Sequence, residues 1–176
     1  MRLDDPLEDA RSIEHIAVDG GHQVTTGPNV IVYRPEHTVE GRYRIALDVA
    51  HLASFGHPHG AGLILGGSAL DLKNQAYTYF LVRGDGDFII KTRKGEETFD
   101  VVPWQSHEAV HADDDEGVAR NTLAVDVGPE HVVFSVNEQE VQRAPAGSLP
   151  TDGIYGVRLV HNLVVRFSDY RLEQPE

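Results

Sequence analysis

Three stretches of this 176-residue chain carry residue types that do chemistry at a meaningful spacing. The first is His107-Glu108-Ala109-Val110-His111. On a long helix this pattern puts two imidazoles on one face to hold zinc, with the glutamate beside them as general base. Here the string follows Pro103-Trp104-Gln105-Ser106 and runs into Asp113-Asp114-Asp115-Glu116-Gly117, so any helix over 104–116 is short and lacks a third ligand. It therefore reads as a loop with two solvated histidines. The second is His57-Pro58-His59, with His51 upstream. Alternate residues of an extended segment point the same way, which makes His57 and His59 candidate metal ligands. The third is the acidic run, where Asp113 and Asp115 could ligate calcium. Gly117 falls where the calcium-loop pattern wants another oxygen ligand, so a solvated loop is the plainer expectation. No cofactor is required by these strings; calcium or another divalent metal is what they would accommodate.

The elements around these residues are strands. In Tyr43-Arg44-Ile45-Ala46-Leu47-Asp48-Val49 the odd positions are apolar, as expected when one face of a sheet is buried. The same alternation sends Phe80 and Val82, then Phe88 and Ile90, into the core, joined through Gly84-Asp85-Gly86, whose glycines are expected to supply positive φ. Leu123, Val125 and Val127 pair through Gly128-Pro129-Glu130 with Val132, Phe134 and Val136, and Asn137-Glu138 turns the chain again. The last strands run over 154–160 and 163–172. Such strands predict an all-β, two-sheet antiparallel jelly-roll sandwich. It is expected as a single soluble domain over 1–176, with residues 1–12 a loosely ordered N-terminal segment and a short helix allowed over 3–12.

If those phenylalanines and their neighbours point inward, then Tyr77, Tyr79 and Arg83 share the opposite face with Lys91 and Arg93 of the next strand. Aromatic rings stack on the apolar faces of sugar rings, while Arg and Asp reach hydroxyl groups. Arg44, Asp48 and His59 are candidate extensions of this ligand-binding patch. Trp104, the one tryptophan, joins it if its loop folds over the concave sheet.

Charge and composition exclude other classes. With 15 Lys+Arg against 28 Asp+Glu, the net charge of -13 repels phosphate backbones, so nucleic acid is not an expected partner. No apolar run approaches the length of roughly 18 residues needed to span a bilayer, so membrane insertion is not expected. The absence of cysteine excludes disulfides and thiolate sites. No nucleophile elbow, phosphate-cradling loop or dinucleotide fingerprint occurs.

From Gly41 to Leu172, about three quarters of the chain, the order of features resembles the concanavalin A-like lectin and glucanase superfamily. The stretches that carry it are Gly60-Ala61-Gly62-Leu63-Ile64-Leu65-Gly66-Gly67, Tyr77-Thr78-Tyr79-Phe80-Leu81-Val82-Arg83-Gly84-Asp85-Gly86, Asn121-Thr122-Leu123-Ala124-Val125, Val133-Phe134-Ser135-Val136-Asn137 and Val165-Arg166-Phe167-Ser168-Asp169-Tyr170. Within that superfamily the chain looks most like bacterial domains grouped near the 3-keto-disaccharide hydrolases. The resemblance implies a secreted or periplasmic domain with its leader removed, a cytoplasmic home being the alternative, and carbohydrate bound on the concave face. It leaves open whether the chain is an enzyme, with a polar pocket near His59 and Asp48, or a non-catalytic interaction module. The Glu-x-Asp-x-x-Glu string of laminarinase-like members is missing, and with it the paired carboxylates of a retaining glycosidase.

Overall fold

The computed structural model describes residues 2, 3 and 13–175, and every regular element in it is a strand. In chain order these are β1 (Arg2–Leu3), β2 (Glu14–Val18), β3 (Gly21–Thr26), β4 (Val30–Val39), β5 (Tyr43–Ser54), β6 (Ala61–Ser68) and β7 (Ala76–Val82). They continue as β8 (Asp87–Lys94), β9 (Glu97–Ser106), β10 (Ala119–Val127), β11 (His131–Val136), β12 (Gln139–Pro145), β13 (Gly153–Leu159) and β14 (Leu163–Glu173). Two seven-stranded sheets result: a first in the order β1-β4-β13-β6-β7-β8-β9, and a second in the order β12-β11-β10-β5-β14-β3-β2. All pairings are antiparallel.

Alternation decides what lies between the sheets. Tyr43, Ile45, Leu47 and Val49 of β5, Leu123 and Val125 of β10 and Phe134 of β11 meet Phe80, Val82, Phe88 and Ile90 of the first sheet in one apolar cluster. Phe80 spans the gap, edge-on to Phe134 at 5.4 Å and to Phe88 at 6.2 Å. Aromatic quadrupoles favour this geometry.

The turns hold one surprise. Gly86 has φ 89°, as a tight β7–β8 hairpin needs, but Gly84 does not take positive φ. Its requirement is space: a Cβ there would sit 2.6 Å from Asp113 Oδ1. Asn137 and Glu138 turn β11 into β12 with φ 49° and 68°.

The helix allowed over 104–116 does not form. Trp104, Gln105 and Ser106 finish β9, and the following amides are taken by partners outside any helix. His111 N donates to Asn121 Oδ1 at 2.8 Å, Asp113 N donates to Gly84 O at 2.8 Å, and the His107 ring itself accepts from Ala109 N at 3.1 Å. The helix allowed over 3–12 and the loosely ordered segment 1–12 lie outside the described residues, except that Arg2 and Leu3 form β1.

Candidate functional site

The outer face of the first sheet is less open than alternation alone suggests. Tyr77, Tyr79, Leu81 and Ile89 are buried there with Ile31, Ile64 and Leu70 in a second apolar layer. Leu70 comes from the β6–β7 connection, which folds over part of the face. Tyr77 is 0 % exposed, and its hydroxyl accepts a 2.8 Å hydrogen bond from Arg158 Nη1. It cannot stack on a ligand and instead supports Arg158. Arg93, across the strand from Tyr77, donates from Nε to Gly95 O at 2.9 Å.

Toward the β7–β8 hairpin the layer opens into a cavity of about 270 Å³ lined by His59, Tyr79, Arg83, Lys91, Trp104 and Arg158, among others. Trp104 stands on β9 rather than in a loop, and the Arg83 guanidinium lies 4.4 Å from its ring centroid. That guanidinium is fixed from behind: Nε reaches Asp85 Oδ1 at 2.8 Å and Nη2 reaches Asp87 Oδ2 at 2.5 Å. Arg158 lies 5.1 Å from the Tyr79 ring centroid, a second cation over a ring. Lys91 is held by Asp100 at 3.0 Å. Gly60 gives the indole its room, since a Cβ there would stand 2.8 Å from Trp104 Cη2. On the far wall the His59 ring meets that of His161 edge-on at 4.2 Å. Burial first, then His161, His57 and Arg83, push the His59 pKa down and keep the ring uncharged at neutral pH.

No family model matches the sequence, and no curated protein matches it. Solved structures do. The carbohydrate-binding module CBM66 from Bacillus subtilis superposes with a TM-score of 0.70 at 12% identity, covering 92% of both chains. A β-glucanase from Bacillus licheniformis gives 0.64 at 9% identity, over 95% of this chain and 84% of its own. Sheep galectin-11, in complex with glycerol, gives 0.52 at 15% identity, over 82% and 95%. The fold is the concanavalin A-like jelly roll.

Within this jelly roll the predicted site residues divide. Tyr79, Arg83, Lys91, Trp104 and His59 come together around one cavity. Arg44 and Asp48 do not join them, because β5 belongs to the second sheet. Arg44 pairs there with Asp126, and Asp48 accepts from Thr122 Oγ1 at 2.7 Å. A shared pocket of His59 and Asp48 is therefore corrected. Sequence reasoning misses Arg158 and His161. Arg158 sits between inward Val157 and Leu159, so alternation marks it as outward, but only the β13–β6 pairing brings it beside Tyr79.

The metal candidates disperse as well. Segment 55–60 is not a strand, so His57 and His59 do not point together: His57 lines a different cavity at the end of the sandwich, with Pro58 between the two. Among the described residues no group of three His, Asp or Glu is placed to hold a metal ion. In the acidic run it is Asp114 that organises the loop. Its Oδ1 accepts from Glu116 N and Val118 N at 2.9 and 3.0 Å, and its Oδ2 accepts from Arg120 at 2.8 Å. These bonds, Val118 first, hold its carboxyl below the usual range. The zinc-peptidase geometry is excluded by the backbone, since 107–111 is a turn whose His111 ring bonds Arg120 O at 3.2 Å.

Proposed function

We propose that this jelly roll binds carbohydrate on the outer face of its first sheet, with a sugar ring resting against Trp104 over a cavity floor to which Tyr79 contributes. The observation that carries the reading is the Arg83–Trp104 pair beside Tyr79, with Arg158 and uncharged His59 completing the wall. Aromatic surface meets the C–H face of a pyranose, and fixed guanidinium and imidazole groups meet its hydroxyls. The cavity holds about 270 Å³. That lies near the low end of the about 300–1,000 Å³ common for small-molecule sites, which suits one or two rings. CBM66, a carbohydrate-binding module with the same fold, adds weight to the reading. So does the absence of an Asp or Glu lining this cavity among the described residues, which favours binding over two-carboxylate hydrolysis. We place the domain outside the cytoplasm, secreted or periplasmic, where such glycans are met.

A glycan array followed by calorimetry tests this. Trp104→Ala and Tyr79→Ala should each weaken saccharide binding by about tenfold or more, the share expected of a central aromatic anchor. Phe99→Ala, exposed elsewhere on β9, should leave it unchanged. An array without hits, or wild-type affinity in both site variants, overturns the reading. A second reading, a glycoside-processing enzyme of the 3-keto type, leans on the uncharged His59 beside His161 as a proton acceptor. Turnover of 3-keto-glucosides that is lost in His59→Gln would establish it.

A further inference from the structure

At the end of the sandwich a second cavity, about 180 Å³, opens between the β5–β6 loop, the β7–β8 hairpin and the β9–β10 loop. His51 lines it. The β5 alternation that buries Tyr43, Ile45, Leu47 and Val49 carries His51 inward too. The residue is 2% exposed. Neither ring nitrogen has a hydrogen-bond partner among the described residues. A buried polar group left unmade costs about 1–3 kcal/mol, which a leucine at the same position would avoid. The imidazole makes sense if an occupant of the cavity completes its bonds. Burial, against a smaller pull from Asp85, pushes its pKa down to about 4, so at neutral pH it offers one N–H and one lone pair.

A carboxylate short of positive charge lines the same cavity. Asp85 is held by Arg83 and Asp114 by Arg120, but among the described residues no cation pairs with Asp113. Burial, then Asp114 and Asp85, raise its pKa. Its position is fixed: Asp113 N donates to Gly84 O at 2.8 Å, and the carboxylate packs against the bare Cα of Gly84. No Lys or Arg among the described residues lines the cavity, which disfavours an anion, and the donors do not converge as a metal requires. An ammonium group suits such a lining. Its N–H groups match the Asp113 carboxylate, while the His51 ring offers one acceptor and one N–H to the groups beside the amine.

Pro58 lines this cavity and the Trp104 cavity alike, and Gly84 follows Arg83 directly, so the two back onto each other. We propose that the His51–Asp113 cavity is a second subsite that takes the protonated amine of a 2-amino-2-deoxy sugar, so that the domain prefers glycans with free amino groups. This rests on the carbohydrate reading above.

Calorimetry with three β-1,4 tetrasaccharides at mildly acid pH decides it: one of glucosamine, its fully N-acetylated form, and one of glucose. The glucosamine form should bind about tenfold tighter than the other two, as one charge-assisted contact allows. Asp113→Asn should abolish that preference, leaving the glucosamine form bound no more tightly than the glucose form. Gly84→Ala, which displaces the carboxylate without touching its charge, should reduce the preference too. Glu130→Gln, a charge removed from the β10–β11 turn, should retain it. Equal binding of the three, or a preference that survives Asp113→Asn, overturns the subsite while the carbohydrate reading stands. Equal loss in Glu130→Gln shows bulk charge attraction and overturns it likewise. Failure of all three sugars to bind overturns both.

Discussion

His51 ties one part of the acid stability to a single side chain. Its unfolded pKa lies near 6.5 and its folded pKa near 4, so between these values the unfolded chain takes up a proton that the folded chain refuses. Stability should therefore fall as pH drops from 6.5 to 4 and suffer no further loss from this group below that. The loss amounts to about 3 kcal/mol. Urea midpoints of wild type and His51→Leu across this window check it: the difference between them should shift by that amount, and parallel curves would rule His51 out. Side-chain direction is legible at this scale from the period of two along a strand, counted from its core phenylalanines, which is why Tyr79, Arg83 and Lys91 can be found from the sequence. It is not legible that Tyr77 is sealed, because a residue's outward direction says nothing of the Leu70 connection folding over it.

At the scale of elements, the β11–β12 hairpin shows sequence and backbone in agreement. Asn137 and Glu138 both take positive φ, the pattern of a type I′ turn. Asn137 also accepts from Thr122 N and donates to Ala109 O and Asn121 Oδ1, tying the hairpin to the β9–β10 loop. Asn137→Ala should cost about 2–4 kcal/mol in chemical denaturation, since those bonds are lost together. Glu138→Gly should stabilise by about 1 kcal/mol by relieving the left-handed backbone, read in the same denaturation series. Such turns can be read because their chemistry is local. The segment after Trp104 cannot, because its amides bond to Asn121 and Gly84, partners that no neighbouring residue announces. Arg44 and Asp48 are misplaced by sequence reasoning for a related reason: alternation tells which face of a strand a residue takes, never which sheet the strand enters.

Across the whole molecule the two sheets depend on a few rings that cross between them. Phe134→Ala removes the second-sheet partner of Phe80. It should destabilise the domain by about 3–5 kcal/mol, read as a lowered urea midpoint with an unchanged slope. The match to CBM66 at 12% identity fits this picture. What the architecture demands is greasy positions at a period of two rather than particular side chains. The chain also contains one tryptophan, and it lies against a guanidinium at the mouth of the cavity. Excited at its red edge, this molecule therefore emits from a single indole, so occupancy can be followed as a change in emission colour and quenching, without dye, tag or competitor.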